Sequence, residues 1–93
     1  MERKLPQTGE IWKHFKDNYY RIICVGHHSE TDEKMVVYER ISKEDYLADK
    51  FINPVLEPCI RPLEMFMSKT DRNKYPDAKQ EYRFENTNKT DYF

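Results

Sequence analysis

The sequence predicts a mostly β domain, a small SH3-like barrel or strongly curled antiparallel sheet carrying one short helix. Three observations predict it. Two successive runs, EIWKHFK (10–16) and YYRIICVGH (19–27), are rich in aromatic and β-branched residues and alternate with the period of a strand. A third run of the same kind, MVVYERI (35–41), follows a polar connector of turn-forming residues. With 93 residues, the chain has room for one small core and no second domain.

The elements follow in order. Residues 1–8 are polar, end near Pro6 and Thr8, and read as a leader to a domain spanning 9–67. Gly9 opens the first strand, in which Ile11, Lys13 and Phe15 alternate with Trp12, His14 and Lys16. Asp17-Asn18 tolerates positive φ and suits a tight turn. The second strand sets Tyr20, Ile22 and Cys24 on one face and Tyr19, Arg21, Ile23 and Val25 on the other. The connector turns at Thr31 and Asp32, and the third strand opposes Val37 and Ile41 to Val36 and Tyr38.

Three meandering strands need cover, so later residues must close the structure. Ser42 with Asp45 three positions on has the form of a capping box, which predicts a short helix in SKEDYLADKF with Tyr46, Leu47, Phe51 and Ile52 on its apolar side. Asn53-Pro54 would end it. Pro58 and Pro62 confine Cys59-Ile60-Arg61 to an edge or very short strand. Leu63, Met65, Phe66 and Met67 are expected to pack inward. Residues 68–93 form a charged segment that can add a last strand near 80–87 through Tyr82 and Phe84.

Composition narrows the function. Seven Tyr, five Phe and one Trp argue against disorder and for an aromatic core. Sixteen basic residues against seventeen acidic ones give a formal net charge of −1, so nonspecific nucleic-acid binding would need a local basic patch and ranks below small-ligand binding. The amino terminus lacks a signal-type apolar core and no stretch approaches the length of a membrane span, so the expected location is cytoplasmic, with no membrane partner. Cys24 and Cys59 read as free thiols.

Four blocks of residues carry a resemblance. Gly9, Ile11, Trp12, His14, Phe15 and Lys16, then Tyr20 and Ile22, then His28-Ser29-Glu30-Thr31 with Val36-Val37-Tyr38, and finally Arg61-Pro62-Leu63-Glu64-Met65-Phe66 resemble, in order, the signature of the bacterial and phage domain of unknown function 1653 family. Arg83-Phe84 are similar to its closing segment. The resemblance implies a small, mostly β, barrel-like domain and no particular activity. Three departures stand out: Asp17 where the family usually has glycine, Cys59 in place of the tryptophan before the Arg-Pro pair, and a longer connection from Ile41 to Cys59.

The stretch Gly26 to Glu33, GHHSETDE, concentrates imidazoles, hydroxyls and carboxylates where a chain leaving a strand exposes them. With His14 and Lys16 from the first strand and Arg61 from the fourth block, it predicts a donor-rich, positive site for phosphate or carboxylate. The candidate ligand-binding residues are therefore His14, Lys16, His28, Ser29, Glu30, Thr31 and Arg61. Lys16 and Arg61 would meet an anionic group, His28 and Ser29 would donate hydrogen bonds, and Glu30 would accept them. The plainer alternative is that Ser29 and Thr31 cap the turn and that Arg61 and Glu64 form an ion pair.

Adjacent strand residues point to opposite faces, so His27 and His28 do not make a metal pair, and no metal or cofactor is expected. A hydrolase using Ser29 and His28 ranks lower still, because residues adjacent in sequence cannot line up as a triad and the base would have to be His14. The expected function is a non-enzymatic module recognising a small polar or anionic ligand. A nucleotide-like molecule fits that inventory, as does an acidic peptide. Homo-oligomerisation is compatible with so small a sheet.

Overall fold

The computed structural model describes residues 3–49 and 57–91. Strands β1 (Glu10–His14), β2 (Asn18–His27), β3 (Lys34–Ile41), β4 (Cys59–Pro62) and β5 (Phe84–Thr90) form one antiparallel sheet in the order β4-β3-β2-β1-β5. The sheet is not closed into a barrel: β4 and β5 are its two edges. Helix α1 (Lys43–Leu47) and a second short helix not foreseen from the sequence, α2 (Leu63–Phe66), complete the elements.

Turn chemistry sets the strand ends. The first strand stops at His14, two residues earlier than its alternation suggests, because Phe15, Lys16 and Asp17 make a three-residue turn in which Asp17 takes the left-handed conformation at φ 70°. Asparagine and aspartate visit that region at lower cost than most residues, which explains how aspartate occupies the position where glycine is usual. Its carboxylate lies 3.0 Å from Lys43 and 3.5 Å from Lys13, and the Lys43 ammonium holds it below the usual carboxylate range.

Register decides the faces. Trp12 pairs with Tyr20, Ile22 with Tyr38 and His14 with Phe84, so these side chains share one face of the sheet. Trp12, Ile22, Val36, Tyr38, Phe66 and Phe84 are buried there as one cluster, with Phe66 of α2 stacked on Phe84 at 4.1 Å and 12°. Offset aromatic pairs of this kind add attraction beyond the area they bury. Leu63 and Met67 pack against the cluster as expected, whereas Met65 points outward at 47% exposure. A four-residue helix has one inward side, and Phe66 occupies it.

The opposite face carries Ile11, Tyr19 and Ile41, covered by Tyr46 of α1, whose ring stacks on Tyr19 at 3.8 Å. Ser42 caps that helix as predicted, its hydroxyl accepting from the Asp45 N–H at 3.1 Å. Leu47 is exposed, and Phe51, Ile52, Asn53 and Pro54 lie outside the described residues. The expectation for Cys24 is corrected. A bulge between Ile22 and Cys24 absorbs one residue, so Cys24 pairs with Val37 on the opposite side from Ile22.

The terminal segments are tied in. Arg3 donates to the carbonyls of Met67 (2.8 Å) and Phe84 (2.6 Å) and lies over the Tyr82 ring at 3.7 Å. After α2 the chain forms a long loop pinned at its base by a bridge between Lys69 and Tyr82 and by the Arg83 N–H to the Ser68 carbonyl, 2.9 Å. The last strand begins at Phe84 rather than near 80, alongside β1.

Candidate functional site

The turn after β1 meets the outer lobe of the 68–83 loop, and a cleft of about 260 Å³ opens between them. It is lined by His14, Phe15 and Lys16 from the β1 end, Arg61 from β4, Asp71, Lys74 and Tyr75 from the lobe, and Arg83 just before β5. Stopping β1 at His14 is what turns both Phe15 and Lys16 toward this lobe. The Phe15 N–H donates to the Arg83 carbonyl (3.0 Å), and the Gln80 side-chain amide donates to the carbonyl of Lys13 (2.8 Å), so the two walls are locked together. The lobe is held from within, Asp71 accepting from the N–H groups of Asn73 and Lys74 and Arg72 donating to the Ala78 carbonyl at 2.6 Å.

Arg61 starts from an edge strand, where it pairs with Val36. Its Nε donates to the Tyr38 hydroxyl at 3.1 Å and its guanidinium lies over the Phe84 ring at 5.5 Å, so the core's aromatic face carries the charge toward His14. Lys16 lies 5.0 Å from the Tyr75 ring centre, and its ammonium beside the phenol lowers the Tyr75 pKa.

His14 is the most perturbed group described. Desolvation by burial, then the charges of Arg61, Lys16 and Arg83, lower its pKa from 6.5 to about 4. It is therefore neutral at physiological pH. Its Nδ1 accepts from the Lys16 N–H at 3.1 Å, so the neutral ring carries its proton on Nε2 as a donor. Between pH 6.5 and 4 the unfolded chain binds a proton at this position that the folded chain refuses. Stability is then full above pH 6.5 and falls as the pH drops toward 4, by about 1–2 kcal/mol once solvent screening is allowed for. An NMR titration of the ring should give a midpoint near 4 that rises with added salt; a midpoint at the ordinary 6.5 would contradict this electrostatic picture.

The structure thus brings together His14, Lys16 and Arg61 of the sequence-predicted site. It does not bring His28, Ser29, Glu30 and Thr31 to them. Those four residues form the exposed β2–β3 turn, at the opposite end of β2, about 30 Å of strand away from the β1–β2 turn by the usual rise per residue. There the His28 Nδ1 accepts from the N–H groups of Glu30 (3.1 Å) and Thr31 (3.3 Å), and the Thr31 hydroxyl accepts from the Glu33 N–H. The mixture of polar groups closes a turn in which Asp32 takes φ 63°. That separation also leaves Ser29 without His14 as a base.

Sequence reasoning missed Phe15, Asp71, Lys74, Tyr75 and Arg83. The pairing of Arg83 with Phe84 was the available signal. The lobe residues gave none, because a charged, turn-rich stretch reads the same whether or not it walls a cleft. Among the described residues no group of three or more His, Cys, Asp and Glu side chains could hold a metal ion, and no helix is long and apolar enough to cross a membrane.

Fold and cleft together define a small open-sheet β domain with a cationic pocket at the end of its first hairpin. The chain belongs to the family described as "Protein of unknown function (DUF1653)", whose model matches residues 10–86 and so includes both the lobe and Arg83. No curated protein and no solved structure matches it.

Proposed function

We propose that this domain is a non-enzymatic binding module for a small anionic ligand, held between Lys16, Arg61, Lys74 and Arg83. The observation that carries the reading is the charge balance of the cleft. Four permanent cations face one carboxylate, Asp71, within a chain whose formal net charge is −1. Like charges gathered this way repel one another, and an anion relieves the repulsion. Two further features support it. The neutral His14 offers an Nε2–H donor without adding to the repulsion. The Arg83 Nε is buried with no hydrogen-bond partner among the described residues, so this side chain is held in the cleft wall by packing and brings its charge there. Arg61 and Arg83 are suited to forked recognition of carboxylate or phosphate oxygens, and Lys16 and Lys74 to point-charge attraction.

Thermal denaturation with increasing inorganic phosphate tests the reading. At about a hundredfold its dissociation constant the anion adds about 2.7 kcal/mol, which for a domain of this size raises Tm by about 10–20 °C. Arg61→Gln and Lys16→Gln should each shrink that rise, and added sodium chloride should suppress it. A Tm that responds equally to phosphate in the wild type and in both variants would remove this cleft from consideration.

A further inference from the structure

The cleft has a neighbour on the lobe side. A second hollow, of about 390 Å³, adjoins it and shares Phe15, Lys16, Lys74 and Tyr75 as a common wall. Beyond that wall the lining changes character, to Pro76 and Ala78 beside Asp77. The rings of Phe15 and Tyr75 stand 4.9 Å apart, tilted by 59°, at the junction of the two hollows. One end of the pair is therefore a cluster of guanidinium and ammonium groups, and the other adds the Tyr75 ring and the aliphatic surface of Pro76 and Ala78, with Asp77 beside them.

We infer that the ligand is a phosphate monoester joined to a planar aromatic base, a mononucleotide, with its phosphate among Arg61, Arg83 and Lys16 and its base against Tyr75 and Pro76. This rests on the anion-binding reading above and specifies its ligand. Four cations less the one carboxylate of Asp71 leave three positive charges, which a phosphate dianion matches better than a single carboxylate does. Asp71 itself is turned to the backbone N–H groups of its own turn, so its charge opposes the phosphate weakly. A phosphate ester without a flat ring would leave the Tyr75 ring and the Pro76 surface with nothing to stack on them. The two hollows together fall within the usual range of small-ligand sites, about 300–1,000 Å³. The same chemistry is available from a free nucleotide or from the phosphorylated end of a strand.

Isothermal titration calorimetry on the full chain at fixed salt, with inorganic phosphate, adenosine, adenosine 5′-monophosphate and a 5′-phosphorylated oligonucleotide as probes, tests the inference. Stacking a base on an aromatic side chain is worth about 5- to 150-fold in affinity. Adenosine 5′-monophosphate should bind at least about tenfold tighter than inorganic phosphate. Tyr75→Ala should bring the ratio of nucleotide to phosphate affinity down to about one, whatever it does to phosphate affinity itself, and Tyr75→Phe should keep the ratio. Arg61→Gln should weaken phosphate and nucleotide alike. If phosphate binds and the nucleotide binds no tighter, the mononucleotide assignment falls and the anion-binding module stands. If neither binds, both fall. An oligonucleotide that matches the mononucleotide only when 5′-phosphorylated supports the assignment and identifies the strand end as the source. One that binds tighter without its terminal phosphate overturns the assignment in favour of a strand binder.

Discussion

Replacing Glu39 by alanine is expected to destabilise the domain by about 3–5 kcal/mol, because it removes the buried carboxylate that faces a buried guanidinium. Arg21 and Glu39 face each other across β2 and β3, each about 6% exposed, with the Arg21 Nε donating to the Glu39 carboxylate at 2.7 Å. A second Arg21 nitrogen pairs with Asp91, beyond the end of β5. The network therefore joins the middle of the sheet to its last strand across the face that also holds Ile11 and Tyr19. Asp91 remains after the substitution and keeps the cost toward the lower bound, yet even about 3 kcal/mol is a large share of the 5–15 kcal/mol typical of such domains. Asp91→Ala should cost only about 1 kcal/mol, since that carboxylate is one-third exposed and its loss leaves Arg21 paired with Glu39. The double variant Arg21→Met, Glu39→Leu should recover most of the loss by replacing the charges with apolar volume. Urea unfolding midpoints would measure all three, and a Glu39→Ala loss below about 1 kcal/mol would show that the pair is not held dry.

That network was not legible in the sequence, and the reason is physical. Arg21 and Glu39 sit among Tyr19, Ile23, Val37 and Ile41, the alternate positions of two strands, and a polar residue there reads as solvent-facing. Only the covering of both faces, by α2 on one side and Tyr46 on the other, turns that position inward. By contrast the three central strands, the Ser42 cap and the Pro-bracketed edge strand were readable, because each is set by local chemistry: period-two alternation, a hydroxyl three residues before an acid, two prolines that cannot donate to a ladder. The bulge at Ile23 was not, since a single inserted residue leaves no trace in an apolar run.

The same division holds for the site. His14, Lys16 and Arg61 could be grouped from sequence because they are chemically alike and flank predicted strands. The hairpin stretch 28–31 was grouped with them on richness of functional groups alone, and topology overrules it: a strand of ten residues separates the two turns of β2. The residues that complete the cleft, Lys74, Tyr75 and Arg83, belong to a loop whose position depends on contacts 67 residues apart in the chain, such as Gln80 with the Lys13 carbonyl. No local pattern encodes a contact of that span.

Phe84 links the core to the cleft, and its substitution is the other large expected effect. The ring is 1% exposed, stacks on Phe66, meets the His14 ring edge-on at 4.8 Å and lies beneath the Arg61 guanidinium. Phe84→Ala should cost about 3–5 kcal/mol through lost transfer energy and the cavity left among Trp12, Tyr38 and Phe66, and so bring the domain near unfolding. Phe84→Leu keeps most of the apolar volume and should remain folded at a loss of about 1–2 kcal/mol. What leucine cannot supply is the negative ring face under Arg61, a contact worth about 0.5–2 kcal/mol. The leucine variant should therefore show a smaller phosphate-induced rise in Tm than the wild type, since Arg61 is less well held where the anion meets it. It should also change the His14 titration, because that ring loses an edge-on neighbour and Arg61 is freer to move. If Phe84→Leu lowers Tm yet leaves both the phosphate response and the His14 midpoint unchanged, the aromatic core supports the sheet but not the charge above it, and Arg61 must be positioned by Tyr38 alone.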